Sequence, residues 1–344
     1  MAPHVAIACG GTGGHFFPGV AVARELQQSG ARVTLVISEK PVDQQAVATV
    51  PDIPHWRVPA VGFSARHPIR FLLGLRAAMK TVRRHFESDP PQAVLAMGGF
   101  TSAAPIWCGR RRGAVTFLHE SNAIPGRANR LLARSADEIF VGFEAATKHF
   151  RGRALVTGTP VREAFRKPSL SDKPLLLITG GSQGAHVINR LATEVKLTEA
   201  PIVHICGADD FDAVKAACAK HSPQAEVHAF VEEMPSTLAR ASVVISRAGA
   251  SFLAELAAAR VPAILIPLPN AADDHQRANA RVAGQGGGAI VLEQSETTPE
   301  GLAKVVRELM NDESRLKKMS EAMGALDAPE AARCIAGRIL ARLG

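Results

Sequence analysis

The chain has 344 residues, 47% of them hydrophobic, and a formal net charge of +8. Its length predicts two domains of roughly 150 residues each, and its charge points to phosphorylated small molecules, an acidic membrane surface or nucleic acid. Apolar runs break before the ~20 residues of a membrane span, no signal-peptide pattern opens the chain, and five cysteines without a CxxC pair argue for a reducing compartment and against a zinc cluster.

Short, β-branched apolar runs recur at helix-length spacing: HVAIAC (4–9), VTLVIS (33–38), AVLAMG (93–98), AVTFLHE (114–120) and EIFVGF (138–143). LLLITG (175–180), PIVHICG (201–207), VVISRAG (243–249), PAILIPL (262–268) and AIVLEQ (289–294) continue the series. Strands apolar on both faces and separated by helices read as parallel sheets with right-handed crossovers. The expected class is therefore α/β, with doubly wound, Rossmann-like domains.

After the first run comes 10-GGTGGH-15, followed by Pro18, which suits the first turn of a helix. Glycines let backbone N–H groups approach an anion, and the helix adds a positive dipole end. The motif lacks the Gly-Lys-Ser/Thr of a Walker A loop. It also misses the third glycine of a dinucleotide fingerprint, because position 16 is Phe. Glu39 ends the second run, where that fold places its ribose carboxylate, so an NAD-binding oxidoreductase stays an alternative. His15, beside the anion cradle, is a candidate general base, with a capping or surface histidine as the bland reading.

The segment 69-IRFLLGLRAAMKTVRRHF-86 mixes Ile69, Phe71, Leu72 and Leu75 with Arg76, Lys80 and Arg83. A basic helix with an apolar stripe suits an anionic membrane surface, and Arg110 to Arg112 would extend it. An ordinary packed helix with a solvated basic face is the alternative. Nucleic acid fits poorly, since aromatics are 5%, tyrosine is absent and no binding motif occurs.

The best interdomain break is 157-TGTPVREAFRKPSLSDKP-174. Just beyond it, 175-LLLITGGSQGAHVINRL-191 repeats the opening layout of strand, glycine turn and helix. Ser182 adds a hydroxyl to this second cradle. The triplet 210-DFD-212 has the spacing that metal-dependent sugar transferases use, but it reads as chance, and no metal is expected. In 246-SRAGASFLAELAAARVPAILIPLP-269, small residues open a helix that carries Glu255, a carboxylate suited to a ribose diol. In 270-NAADDHQRANA-280, polar side chains crowd a strand end, as sugar-binding groups would. The segment 325–344 is helical after Pro329 and could cap either domain.

Seven motifs in this order, GGTGGHFFPG, MGGFTSAAP, HESNAIPGRANRLLA, GTPVR, GGSQGA, SRAGASFLAE and DDHQRANA, resemble the MurG family of peptidoglycan N-acetylglucosaminyltransferases (glycosyltransferase family 28, GT-B superfamily) over essentially the whole chain. The resemblance implies two Rossmann-like domains facing a deep cleft. Residues 1–160 would form an acceptor and membrane-binding domain and 161–327 a UDP-GlcNAc-binding domain, with a helix at about 328–344 packing back on the first. It implies inverting transfer of GlcNAc from UDP-GlcNAc to the C4 hydroxyl of lipid I to make lipid II, without a cofactor, at the cytoplasmic face of the membrane. Cell-wall assembly proteins are further implied partners. His15 becomes the candidate base and Glu120 a second candidate. Thr12, Gly13 and Gly14 would line the cleft, and Gly13, Gly14, Gly98 and Gly99 would hold the acceptor pyrophosphate. Asn122 would contact GlcNAc, and Arg162, Ser182 and Gln183 would face the donor diphosphate. Phe230 and Val231 would meet uracil, Glu255 the ribose, and Gln276 with Asn279 the sugar. Two positions depart from the family pattern: Ser251-Phe252 replaces a usual Thr, with Ser251 as the substitute, and His275-Gln276 replaces paired glutamines. A soluble UDP-sugar transferase or a UDP-GlcNAc epimerase would share the donor half, and a non-catalytic basic adaptor would not depend on His15.

Overall fold

The computed structural model describes residues 2–59, 68–166, 174–180, 185–269 and 274–344, and of residues 68 and 70 the backbone alone. The chain divides into unit 1, Met1–Arg162 with Ala328–Gly344, and unit 2, Glu163–Asp327.

Unit 1 contains a parallel sheet of β1 (His4–Ala8), β2 (Arg32–Ser38), β3 (His55–Val58), β4 (Ala93–Ala96), β5 (Val115–Glu120), β6 (Glu138–Val141) and β7 (Ala154–Val156), in the order β3-β2-β1-β4-β5-β6-β7. Alternate side chains of β1 and β4 enter different cores, as the two-residue period of a strand requires. Val5, Ile7 and Leu95 join Phe16, Val20 and Leu26 of α1 (Gly13–Gln28) and Ala46 and Val47 of α2 (Pro41–Ala48). Ala6, Ala8, Val94 and Ala96 join Val82 and Phe86 of α3 (Pro68–Ser88), Ile106 of α4 (Ala103–Arg111) and Leu132 of α5 (Arg127–Leu132). This two-sided burial explains why the strands read as continuous apolar runs. Helix α1 begins at Gly13 after an extended Thr12, so Pro18 lies inside the helix and not in its first turn. Having no N–H, Pro18 leaves the Gly14 carbonyl without its usual intrahelical donor.

Unit 2 repeats the plan with β8 (Leu176–Thr179), β9 (Ile202–Ile205), β10 (Glu226–His228), β11 (Val243–Ser246), β12 (Ala263–Leu265) and β13 (Ala289–Val291), ordered β10-β9-β8-β11-β12-β13 and parallel throughout. Its helices are α6 (His186–Thr193), α7 (Phe211–His221), α8 (Met234–Ala239), α9 (Ala250–Ala259), α10 (His275–Gln285), α11 (Pro299–Met310) and α12 (Glu313–Gly324). Leu176 and Ile178 pack with Ile188 and Leu191 of α6 and Leu302, Val306 and Leu309 of α11.

The final helix, α13 (Ala331–Ala341), returns to unit 1. Ile335 and Ile339 are buried in the α1 core, worth about 1.5–3 kcal/mol each as buried apolar side chains. Arg338 pairs with Glu138 and Arg333 with Glu25 at its edges. In each unit the first strand lies between the second and the fourth. Loops leaving the C-terminal ends of β1 and β4, and of β8 and β11, therefore diverge to opposite faces and open a crevice, the place where doubly wound sheets bind ligands.

Candidate active site

The turn after β1 is built around a buried carboxylate. Asp43, in the first turn of α2 and 0% exposed, accepts the Gly11 N–H at 2.9 Å on Oδ1 and 2.8 Å on Oδ2. Its Oδ2 also accepts the Ser38 N–H at 2.8 Å and the Ser38 hydroxyl at 2.5 Å. Gly10 has no room for a side chain: a Cβ there would stand 2.5 Å from the Ser38 nitrogen and 2.8 Å from the Ile37 Cα. The Gly11 N–H is thus committed to Asp43 and is not part of an anion cradle. The N–H groups of Gly13 and Gly14 open α1, where the first turn has no intrahelical carbonyl to meet.

His15 follows in that first turn. Its Nδ1 shares a hydrogen bond with the Thr12 hydroxyl at 3.3 Å. Its ring lies against the turn after β4, where a Cβ on Gly98 would come within 3.0 Å of Nε2 and one on Gly99 within 3.3 Å of Cε1. Both glycines adopt positive φ, 115° and 75°, so the pair gives the imidazole room as well as a left-handed turn. Burial lowers the His15 pKa to about 4 against the opposing charge of Asp43. The ring is therefore neutral at pH 7 and able to accept a proton. Thr101 ties the two turns together by donating its hydroxyl to the Gly10 carbonyl at 2.6 Å, and Ser102 donates to the Gly98 carbonyl at 2.7 Å.

Glu120, at the end of β5, is 2% exposed. Its Oε1 accepts the Asn122 backbone N–H and side-chain amide, both at 2.8 Å. Its Oε2 accepts the Gly126 N–H at 3.1 Å and the Asn129 amide at 2.9 Å. Burial raises its pKa against these four donors. A carboxylate so enclosed and so fully engaged braces the 120–129 loop. The amide of Asn129 also stands 3.2 Å from where a Gly98 Cβ would be, so the loop reaches the same turn as His15. Beside it, buried His119 holds the Gly158 carbonyl at 3.0 Å through Nε2, and its pKa is lowered to about 4 by burial.

Arg162, which ends the first segment of this unit, stacks its guanidinium 4.4 Å over the Phe17 ring of α1, a contact worth about 0.5–2 kcal/mol. Thr12, Gly13, Gly14, His15, Gly98, Gly99 and Asn122 thus gather at the crevice of unit 1. Glu120 supports them from beneath.

In unit 2 the turn after β11 leads into α9, with Gly249 at its N-cap. Ser251 and Glu255 are half-buried and four residues apart, so they share one face of the helix. Asn279, on α10, is 0% exposed and donates to the Ala248 carbonyl at 3.1 Å. It braces this turn from within. Gln276 accepts the Leu268 N–H at 3.0 Å. Phe230 is exposed and Val231 half-buried just beyond β10. Ser182 and Gln183 lie outside the described residues. Asp210 of the DFD triplet accepts from His186 at 3.0 Å and from Asn189 at 2.7 Å, a local network that accounts for it. Among the described residues no cluster of three His, Cys, Asp or Glu is arranged to hold a metal ion.

Helix α3 leaves Ile69 (74% exposed), Leu72 and Leu73 at the surface. Phe71 is half-buried and packs edge-to-face on Phe100, 5.6 Å away. Leu75, Met79 and Trp107 floor a groove of about 590 Å³ rimmed by Arg76, Lys80, Arg83 and Arg111. No helix of the described residues is long and apolar enough to cross a membrane.

Comparison with known proteins supplies the family. Residues 5–141 match the glycosyltransferase family 28 N-terminal domain and residues 175–335 the family 28 C-terminal domain. The chain belongs to glycosyltransferase family 28. A relative from Rhodospirillum rubrum named UDP-N-acetylglucosamine--N-acetylmuramyl-(pentapeptide) pyrophosphoryl-undecaprenol N-acetylglucosamine transferase is 35% identical, covering 96% of this chain and 89% of the relative. The crystal structure of Acinetobacter baumannii MurG superposes with a TM-score of 0.76 at 30% identity, covering 98% of this chain and 99% of that one. A putative UDP-N-acetylglucosamine 2-epimerase from Listeria monocytogenes has a TM-score of 0.75 at 15% identity over 100% of this chain and 97% of that one, a likeness of fold alone.

The turns of this family 28 chain also hold polar groups that its motifs do not single out. Asp43 gave no signal, because a single acid in 39-EKPVDQQ-45 does not reveal a partner 32 residues away. The carboxylate beneath the glycine turn is Asp43, whereas Glu39, the residue the dinucleotide alternative needs, is exposed. Arg247, within SRAGAS, was legible as a cation at a strand end; its guanidinium donates to the Ile266 carbonyl at 2.9 Å beside the start of α9.

Proposed function

We propose that this chain transfers GlcNAc from UDP-GlcNAc to the C4 hydroxyl of lipid I, giving lipid II with inversion at the anomeric carbon. The reading is carried by one arrangement: a neutral imidazole, His15, seated against Gly98 and Gly99 at the crevice of unit 1. The 35% identity to a transferase named for that reaction supports the same substrates. Unit 1 takes the acceptor. The first-turn N–H groups of Gly13 and Gly14 and the open backbone of Gly98 and Gly99 receive its pyrophosphate. His15 accepts the C4 hydroxyl proton as the oxygen attacks the sugar. Unit 2 takes the donor. The N-terminus of α9 with Ser251 and Arg247 stabilises charge that develops on the departing UDP, Glu255 holds the ribose diol, and Phe230 and Val231 border the base.

Lipid I cannot leave the bilayer, and α3 gives the enzyme a means of reaching it. Ile69, Leu72 and Leu73 enter the interface while Arg76, Lys80 and Arg83 meet anionic headgroups at the cytoplasmic face, each cation worth ~1 kcal/mol near such a surface. Such a transfer serves peptidoglycan assembly, and through it cell shape and division alongside other cell-wall proteins.

The deciding experiment measures UDP release from UDP-GlcNAc with and without a lipid-linked muramyl-pentapeptide in detergent. Acceptor-dependent release is expected. Release without acceptor would favour the epimerase reading, and absence of UDP-GlcNAc binding would overturn the donor assignment.

A further inference from the structure

Asp43 is a buried ionisable group that the reaction as described does not use. It is wholly shielded from solvent, so neither substrate can touch it. Its position is nevertheless specific. Both oxygens face the Gly11 N–H, and one also accepts two bonds from Ser38 at the end of β2. The donor it holds belongs to the residue immediately before Thr12, whose carbonyl accepts the His15 N–H at 3.1 Å and whose hydroxyl meets His15 Nδ1. The chain from Asp43 through Gly11 and Thr12 to His15 is thus continuous, and Gly10 is packed too tightly against Ser38 and Ile37 for the turn to settle elsewhere.

We propose that Asp43 is a positioning residue for the transfer: it fixes the glycine turn that carries His15 and brings a negative charge to that turn. The proposal rests on His15 being the base. Such a charge favours the imidazolium that forms as the acceptor hydroxyl is deprotonated, and so strengthens a base that burial would otherwise weaken. Other groups share the setting. His119 on β5 lies near enough for the two imidazoles to oppose each other's protonation. Glu120 approaches through Asn129 of α5, and Arg162 sits on the Phe17 ring. Of these, Asp43 is the group whose charge favours protonated His15.

The test is the pH dependence of kcat/KM for acceptor-dependent UDP release in the full chain, comparing wild type, Asp43→Asn, Asp43→Glu and His15→Ala. The acid limb of that profile reports the base in the free enzyme. Asp43→Asn is expected to lower kcat by about 10- to 100-fold, as loss of charge stabilisation behind a base would. The donor KM should stay within about two-fold, and the acid limb should move to lower pH. Asp43→Glu, which restores the charge, should return the limb toward wild type. An unmoved limb in Asp43→Asn overturns the proposal even if kcat falls, because a merely structural role would leave it in place. An acid limb that persists in His15→Ala overturns the base assignment instead, so the two failures are distinguishable. Ser38→Ala removes one of the carboxylate's donors and keeps the remainder. Should Asp43→Asn not fold, Ser38→Ala is expected to lower kcat by about two- to ten-fold at unchanged donor KM, the scale of one modest hydrogen bond, and wild-type kcat in that variant overturns the proposal.

Discussion

The two units share a strand order but treat their strand ends differently. In unit 1 the loops are joined to one another by buried polar side chains. Asp43 holds Gly11, Thr101 holds Gly10, Ser102 holds Gly98, and Glu120 gathers Asn122, Gly126 and Asn129. In unit 2 the described braces stand beside more open groups. Asn279 supports the turn before α9 and Gln276 the loop after β12, while Ser251, Glu255 and Phe230 remain partly or largely open. The difference matches the two tasks proposed. A proton acceptor must be held within a fraction of an ångström of a hydroxyl, and each buried bond removes freedom from its turn. A helix N-terminus that receives a phosphate needs only to be present and accessible.

The contrast is sharpest in catalysis. His15→Ala is expected to reduce turnover by about 100- to 10,000-fold, the usual range for a positioned general base, with UDP-GlcNAc affinity nearly unchanged by calorimetry. Glu255→Ala should do the reverse and raise donor KM by about 10- to 100-fold, as loss of a charge-assisted hydrogen bond would. Equal effects on kcat and donor affinity in both variants would break the division of labour.

Two glycines extend the comparison to stability. Gly10→Ala puts a Cβ into backbone atoms of β2 and the Asp43 carboxylate, and should cost about 1–3 kcal/mol or abolish folding. A Cβ on Gly249 meets nothing within 4 Å and its φ is −69°, so Gly249→Ala should melt within a few degrees of wild type.

Next in size are the braces themselves. Glu120→Gln turns one acceptor oxygen into a donor that faces two other donors. It should destabilise by about 1–3 kcal/mol, seen as a lower urea midpoint together with slower turnover. Asn279→Ala removes the amide's bond to the Ala248 carbonyl. It should cost less, about 0.5–1.5 kcal/mol, and show in donor KM.

Acid stability tests both units at once. Burial holds His15, His119 and His204 at about 4, below the 6.5 of a free imidazole. The unfolded chain therefore binds protons first as pH falls, so stability declines from about pH 6.5 toward 4. Glu120, raised by burial, takes up its proton more readily when folded and opposes the decline. Unit 1 contains two of the three histidines, so thermal melts between pH 7 and 4.5 should lower its transition more than that of unit 2. A reversed order would break the comparison.

By itself the sequence determined the α/β class, the repeated strand–glycine turn–helix plan and the placing of His15, Gly98 and Gly99 at strand ends. Those features are written in local periodicity and in backbone conformations that only certain residues tolerate. Tertiary structure decided the rest. Asp43 meets Gly11 across 32 residues, Thr101 meets Gly10 across 91, and Asn279 meets Ala248 across 31. Packing turned Glu120 inward, closed α13 onto α1 and placed Pro18 inside a helix that Gly13 begins. Whether a polar side chain braces a turn or faces a substrate depends on which distant segments exclude water from it, and that is fixed only when the sheets and helices have packed.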